Sequence, residues 1–143
     1  MYRRFHYVKL RNRFYPLLPV VLHGPKRKVK LYALLDSGAV ISLFHTSIVR
    51  VAGIDLEGTE EVYLSGVGEY VRAYRTRVLM EVEGMGPLEL PVAFTEYISA
   101  DLCILGHEGF FEKHEVIFKE YVREMLLNVL GGQNNMKETY RLV

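Results

Sequence analysis

One short segment of the chain concentrates the residue types that could do chemistry. The apolar run 33–35 leads directly into Asp36, Ser37 and Gly38. A carboxylate at the end of a buried strand is only partly hydrated, and partial burial shifts the ionisation of an acid. Only two other aspartates occur in the whole sequence. Asp36 is therefore a candidate catalytic carboxylate.

The same three residues also have a purely structural interpretation. Aspartate followed by serine and glycine is typical of an Asx turn, in which the carboxylate accepts a hydrogen bond from a nearby backbone N–H. The tripeptide alone does not distinguish a catalytic loop from such a turn. The flanking sequence has to decide between them.

The elements around Asp36 are predicted to be short strands. Apolar and polar residues alternate with a period of two over most of the chain. Residues 24–26, 65–68 and 85–87 carry glycine, accompanied by proline in the first and third sets, as is typical of turns, and the first two sets fit hairpins. Short strands with turn signals between them indicate a sheet that closes or folds over on itself.

Helical signals are few. Residues 46–51 could make one helical turn, and residues 107–114 are the best candidate for a short helix, although Gly109 lies inside them. Residues 121–130 fit a helical face and a last strand equally well. We therefore expect an all-β fold with one short helix near the C-terminal part.

Three motifs in order along the chain resemble the retropepsin-like aspartic proteases. The segment 34–39 (LLDSGA) resembles the catalytic loop of that family, and residues 64–70 resemble its glycine-rich flap. Residues 104–106 (ILG) are similar to its hydrophobic-hydrophobic-glycine element, which a short helix and a strand follow. The resemblance implies a retropepsin-like closed β-barrel, that is, a single lobe of the acid protease fold with a glycine-tipped flap hairpin.

The resemblance also divides the chain. Residues 19–120 correspond to the retropepsin-like domain, residues 1–18 to a basic N-terminal arm, and residues 121–143 to a C-terminal extension. Many viral members carry a paired aspartate and arginine near the dimer interface, where this chain has Val40 and His107. We therefore expect the dimer to be held differently, with the strand expected over residues 4–15 and the C-terminal extension as candidates.

The activity implied by the resemblance is peptide hydrolysis by two carboxylates that share one proton. The ionised carboxylate activates a water molecule as general base, and the protonated one polarises the scissile carbonyl. One chain supplies only one such aspartate, so the resemblance implies a homodimer with Asp36 of each copy at the two-fold axis. The expected partners are a polypeptide substrate and a second copy of the chain, and no cofactor or metal is implied.

Neighbouring residues receive roles from the same resemblance. The Ser37 hydroxyl would hydrogen-bond across the dimer axis, and Gly38 would let the backbone pass close to substrate. The flap glycines would give the hairpin tip its mobility. The cleft that prefers apolar side chains would be lined by Leu34, Ala39, Gly66, Val67, Gly68, Leu102 and Ile104.

Charge is distributed unevenly along the chain, and this leaves other function classes open. The first 35 residues hold nine of the 18 lysines and arginines and no acid, although the whole chain has a net charge of +1. A basic arm with interleaved aromatics can mark a nucleic-acid contact, but the stronger interpretation is an exposed strand face that pairs with the acidic remainder of the chain or with a second subunit. A non-catalytic retropepsin-like module for peptide binding or dimerisation is the main alternative to a protease. A nucleic-acid-binding β-barrel is the lesser alternative.

Composition excludes several further classes. A chain of 143 residues with one cysteine, Cys103, is long enough for one core and cannot be a disulfide-rich secreted domain. The apolar run 16–22 contains two prolines, is too short to span a bilayer, and precedes no signal-peptide cleavage site. We therefore expect a cytoplasmic protein without membrane contact. His107 and His114 lie seven residues apart, but there is no His-Glu-x-x-His motif, so no metal site is predicted.

Overall fold

A computed structural model describes residues 1–65 and 68–130 of the chain. Within these ranges the chain forms twelve strands, one α-helix and two turns of 3-10 helix. The first six strands are β1 (Arg3–His6), β2 (Val8–Leu10), β3 (Arg13–Tyr15), β4 (Leu17–His23), β5 (Lys28–Leu35) and β6 (Ser42–His45). The helix α1 (Ser47–Ala52) follows, and then β7 (Glu60–Ser65), β8 (Tyr70–Val82), β9 (Pro87–Thr95), β10 (Leu102–Leu105), β11 (His114–Lys119) and β12 (Glu124–Val129).

Seven strands form one sheet that closes on itself. Their order is β4-β5-β10-β6-β9-β8-β7, and β4 also pairs with β8, which completes a ring of six strands. Strand β10 runs parallel to β5, and β6 runs parallel to β9, while the other pairs are antiparallel. The sequence-based expectation of an all-β protein with a sheet folded onto itself is confirmed.

Alternate side chains of the ring fill its interior. Leu18, Val20 and Leu22 of β4 are at most 1% exposed, because every second residue of a strand points to the same face. Phe44 and Phe94 meet inside the ring with their centroids 5.8 Å apart. Burial of each large apolar side chain contributes about 1.5–3 kcal/mol, and the ring core therefore dominates the stability of the fold.

The helical turn expected at residues 46–51 is confirmed as α1. The helix ends at Gly53, whose left-handed backbone (φ 76°) lets its N–H donate to the Val49 carbonyl. The carbonyl of Ala52 accepts a hydrogen bond from the Lys26 N–H at 2.8 Å. The helix is thereby docked on the turn that joins β4 to β5.

The segment 107–114 is less helical than the sequence predicts. Only Phe111–Lys113 form a turn of 3-10 helix, because Gly109 adopts a left-handed backbone (φ 79°) that interrupts helical geometry. A Cβ at Gly109 would lie 2.7 Å from the Cβ of Leu90, so close packing against β9 requires glycine here. Residues 121–130, which fitted both helix and strand, form β12 after a 3-10 turn at Glu120–Val122.

The N-terminal strand expected over residues 4–15 is three short strands. Strand β1 joins β12 and β11 in a separate antiparallel sheet, and β2 pairs with β3 as a hairpin. Met125 and Leu127 of β12 are fully buried and connect this sheet to the main core. No helix within residues 1–65 and 68–130 is long and apolar enough to cross a membrane.

Candidate active site

Asp36 lies directly after β5, where the parallel pairing with β10 continues for one more residue. Its N–H donates to the carbonyl of Leu105 at 3.0 Å, and its carbonyl accepts from the Ala39 N–H at 3.1 Å. The Asp36 Oδ1 accepts the N–H of Gly38 at 2.9 Å. The local geometry is therefore an Asx turn, and it holds a half-buried carboxylate at the end of a core strand.

The loop that carries Asp36 is fixed from outside by the segment after β10. The backbone N–H groups of His107 and Glu108 donate to the carbonyls of Ala39 and Val40 at 2.8 and 2.9 Å. Backbone hydrogen bonds at two successive residues leave this part of the loop little freedom. The motif 104–106 and the residues after it thus position the Asp36 loop.

Two further contacts of this segment involve side chains. The N–H of Gly106 donates to the hydroxyl of the buried Ser42 at 3.0 Å. The Nε2 atom of His107 contacts the carbonyl oxygen of Ser37, and the imidazole lies edge-on to the ring of Phe111. A Cβ on Gly106 would lie 2.5 Å from the Ala39 carbonyl oxygen, so only glycine allows the two segments to approach this closely.

The hairpin of β7 and β8 projects beyond the ring. Residues 70–73 of β8 pair only with β7, whereas residues 74–81 pair with β9. Tyr63 and Tyr70 on this projecting part are 64% and 77% exposed. It occupies the sequence position predicted for the flap. Of the three residues predicted for the flap tip, Gly68 has a left-handed backbone (φ 80°), and Gly66 and Val67 lie outside the described residues.

The base of the β7–β8 hairpin is joined to the Asp36 loop in two ways. A small apolar cluster contains Ile41, which follows the loop, together with Ala73 of β8 and Ala93 of β9. The second connection is an ion pair between Arg75 and Glu108, with Nη2 and Oε2 2.5 Å apart and both side chains about one-third exposed (37% and 31%). The hairpin and the segment that fixes the loop are thus parts of one assembly.

The predicted cleft residues divide into three groups. Leu34, Leu102 and Ile104 are half-buried on the outer face of β5 and β10, where Ile104 lies beside Leu34 and Leu102 beside Tyr32. Leu34 and Leu102 line a cavity of about 580 Å³. Ala39 contributes mainly its backbone, through the hydrogen bonds of the loop. Gly68 lies two residues before β8, and Gly66 and Val67 lie outside the described residues.

Val40 and His107, which stand where many viral members carry the aspartate and the arginine, take part in contacts of a different kind. Val40 is 70% exposed, and Glu108 bonds to its carbonyl through the backbone. His107 contacts Ser37, while the neighbouring Glu108 forms the ion pair with Arg75. Sequence reasoning missed both interactions and the role of Ser42, because residues 33 to 70 positions apart leave no periodic signal.

The remaining titratable candidates have structural surroundings. His114 is buried, its Nδ1–H donates to the Phe110 carbonyl at 2.8 Å, and burial lowers its pKa below the ordinary value. Burial raises the pKa of the Cys103 thiol to about 12, so this cysteine is a poor nucleophile. No group of three metal-ligating side chains comes together in residues 1–65 and 68–130.

The basic arm forms contacts within the chain. Arg4 lies 3.7 Å from Glu124 of β12, and the guanidinium of Arg123 lies 3.9 Å from the ring centroid of Phe14. Part of the N-terminal positive charge thus pairs with the acidic remainder of the chain. This agrees with the interpretation of the arm as an exposed strand face rather than a nucleic-acid contact.

Comparison with known proteins places this fold in a class. No protein-family model matches the sequence, and the search of curated proteins gives no match either. The structure is similar to a retropepsin-like aspartic protease from Rickettsia conorii, with a TM-score of 0.60, 17% identity, and coverage of 90% of this chain and 92% of that chain.

Two other solved structures are similar over most of their length. The EIAV protease complexed with the inhibitor HBY-793 has a TM-score of 0.52 and 20% identity, and covers 70% of this chain and 88% of that chain. The retroviral protease-like domain of Ddi1 from Leishmania major has a TM-score of 0.52 and 17% identity, with coverage of 80% and 87%. The chain therefore has the retropepsin fold, and its structural neighbours are retropepsin-like aspartic proteases.

Proposed function

We propose that the protein is a homodimeric aspartic endopeptidase in which Asp36 of each copy forms the catalytic pair. The observation that carries this proposal is the placement of Asp36 in a retropepsin fold. The carboxylate lies at the end of β5, is held by the Gly38 N–H, and sits in a loop fixed by residues 106–108. A carboxylate positioned by the backbone is already oriented for reaction.

Two copies would meet around the Asp36 loops. Ser37 and Gly38 are exposed in the single chain, so a second copy can approach them. The Ser37 hydroxyls would hydrogen-bond across the two-fold axis and hold the two carboxylates in one plane.

The reaction follows from the charge of the pair. One Asp36 is ionised and takes a proton from a water molecule as that water attacks the scissile carbonyl, while the protonated Asp36 donates a hydrogen bond to the carbonyl oxygen. The proton taken from water then passes to the leaving amine. One carboxyl of the pair is again ionised, and the other is still protonated. The β7–β8 hairpin would act as a flap that excludes bulk water.

The substitution Asp36→Asn tests this proposal, and Asp55→Asn is its matched control. The Asp55 Oδ1 accepts the Glu57 N–H at 2.9 Å, which is the same local turn as at Asp36 but outside the proposed site. We expect Asp36→Asn to abolish cleavage of a denatured protein substrate while the dimer persists, and Asp55→Asn to cleave normally. Cleavage by Asp36→Asn at the wild-type rate would exclude Asp36 from the mechanism.

The pH dependence of activity is a second readout. Because one carboxyl of the pair must stay protonated, we expect an optimum on the acid side of neutrality. A rate that stays flat up to alkaline pH would contradict the shared proton. A wild-type dimer that binds peptides without cleaving them would favour the non-catalytic module instead.

A further inference from the structure

The cavity of about 580 Å³ has one wall that the active-site motifs do not supply. It lies between the outer face of the ring and the β2–β3 hairpin. The ring side is apolar and includes Leu17, Leu34 and Leu102. The hairpin side includes Val8, Leu10 and Tyr15.

The floor of the cavity is the strand surface next to Asp36. Leu34 pairs with Leu17 on one side and with Ile104 on the other, and side chains directly opposite each other share a face. Ala33 and Leu35 point into the core, so Leu34 points outward. Leu17 is only 2% exposed although it shares this outer face, as expected for the covered end of a groove.

The hairpin is anchored from its opposite face. Val8 and Tyr15 are paired and line the cavity, whereas Phe14, paired with Lys9, packs against the main core beneath the guanidinium of Arg123. Its base is held by buried Tyr7, whose N–H donates to the Arg123 carbonyl at 2.8 Å.

The other end of the hairpin is a tight turn with a regular geometry. Arg11 and Asn12 have left-handed backbones (φ 51° and 67°), as a two-residue hairpin turn of type I′ requires. With both ends defined, the hairpin forms a fixed wall.

We infer that the β2–β3 hairpin supplies an additional wall of the substrate cleft expected at Leu34 and Leu102, and that Val8 and Leu10 on this wall help to set which apolar side chain of the polypeptide is preferred. The inference rests on the proposed function. Leu34 precedes Asp36 by two residues, or about 7 Å of strand, so the pocket is in reach of a side chain within about four residues of the scissile bond. Arg11 and Asp101 at the rim have opposite charges. The rim therefore favours neither acidic nor basic substrate residues, and the apolar interior of the pocket determines which substrate side chain is preferred.

Cleavage-site profiling on a proteome-derived peptide library tests this inference. The informative variant is Leu10→Ser, because Leu10 is 39% exposed and its loss costs little stability. Lys9→Ser changes the opposite face of the same hairpin and is the control. Leu10→Phe is a second variant, which reduces the volume of the pocket and should therefore change the preferred size of the substrate side chain.

For the wild type and Lys9→Ser we expect the same preference for Leu, Met or Phe at one substrate position, roughly tenfold in kcat/KM over Ala in matched synthetic peptides. Leu10→Ser should weaken this preference at that position alone, and Leu10→Phe should shift it to smaller side chains. Profiles of both Leu10 variants that match the wild type would overturn the inference and leave the protease intact. Failure of the wild type to cleave any peptide would instead overturn the proposed function, and this inference with it.

Discussion

Arg75 and Glu108 form an ion pair of 2.5 Å that connects strand β8 of the projecting hairpin with the segment that holds the Asp36 loop. Glu108 directly follows His107, and His107 contacts the carbonyl oxygen of Ser37 within that loop. The segment that holds the loop of the candidate catalytic carboxylate is therefore linked to the hairpin expected to cover it.

The Arg75–Glu108 pair should contribute more to the free energy of unfolding than a comparable exposed ion pair does. In a double-mutant cycle with Arg75→Gln and Glu108→Gln, we expect a coupling of about 1 kcal/mol in urea unfolding, since both groups are partly buried. The control is Arg77 and Glu89, which lie 2.7 Å apart but are 58% and 61% exposed. Equal coupling energies for the two pairs would contradict this.

His107 should affect turnover through the Ser37 carbonyl. His107→Phe keeps an aromatic ring beside Phe111 but removes the hydrogen bond, so we expect kcat to fall about tenfold with little change in KM or melting temperature. His107→Gln retains an N–H donor and should recover part of the loss. Steady-state kinetics and thermal melting of both variants give the comparison, and a Phe variant with wild-type kcat would refute the role.

Gly106→Ala should disturb the site and the fold together. The added Cβ would lie 2.5 Å from the Ala39 carbonyl oxygen and 3.0 Å from that of Ile41, and backbone atoms cannot move away easily. We expect a loss of about 1–3 kcal/mol in unfolding free energy and the loss of cleavage.

Gly58→Ala is the control, because Gly58 has a left-handed backbone (φ 78°) with open space around it. This variant should lose stability by backbone strain alone, about 1 kcal/mol, and still cleave. Full activity in Gly106→Ala would show that the two segments need not touch.

His114 should make the fold sensitive to acid. Burial is the main reason that the pKa of His114 lies below its ordinary value of 6.5, and the neighbouring Lys113 lowers it further. The unfolded chain takes up a proton near pH 6.5 while the folded chain does not, so this stabilisation is complete above pH 6.5 and is lost as the pH falls through the lowered pKa.

The measurement is the unfolding free energy of the wild type and His114→Gln at pH 8 and pH 5. Gln retains a donor for the Phe110 carbonyl but cannot titrate. We expect the wild type to lose more stability between the two pH values than the variant does. Identical losses would place the acid sensitivity elsewhere.

The parts of the site that are local in sequence could be predicted from it. The Asx turn at Asp36, the hairpin after β4 and the strand before Asp36 follow from patterns of three to eight residues, and the structure contains all three. Local signals failed at residues 107–114, where Gly109 fits against β9 in a left-handed backbone and limits the helix to one 3-10 turn.

Contacts between distant residues had no such signal. The pairs Arg75–Glu108 and His107–Ser37 join segments 33 and 70 residues apart, and only the closed sheet brings them together. The sequence predicts one strand over residues 4–15, but Tyr7 and the turn at Arg11 divide this segment into β1 and a separate hairpin. Its alternating pattern predicts strands but not which surface they cover.

The most direct test of the paired carboxylates is to mix wild-type and Asp36→Asn chains at constant total concentration, after subunit exchange. If each active site needs Asp36 from two copies, the cleavage rate will follow the square of the wild-type fraction, and an equal mixture will retain about one quarter of the full rate. A rate that is linear in the wild-type fraction, with one half of the activity in the equal mixture, would show that each chain has an independent site with its own Asp36 and would contradict the proposed mechanism.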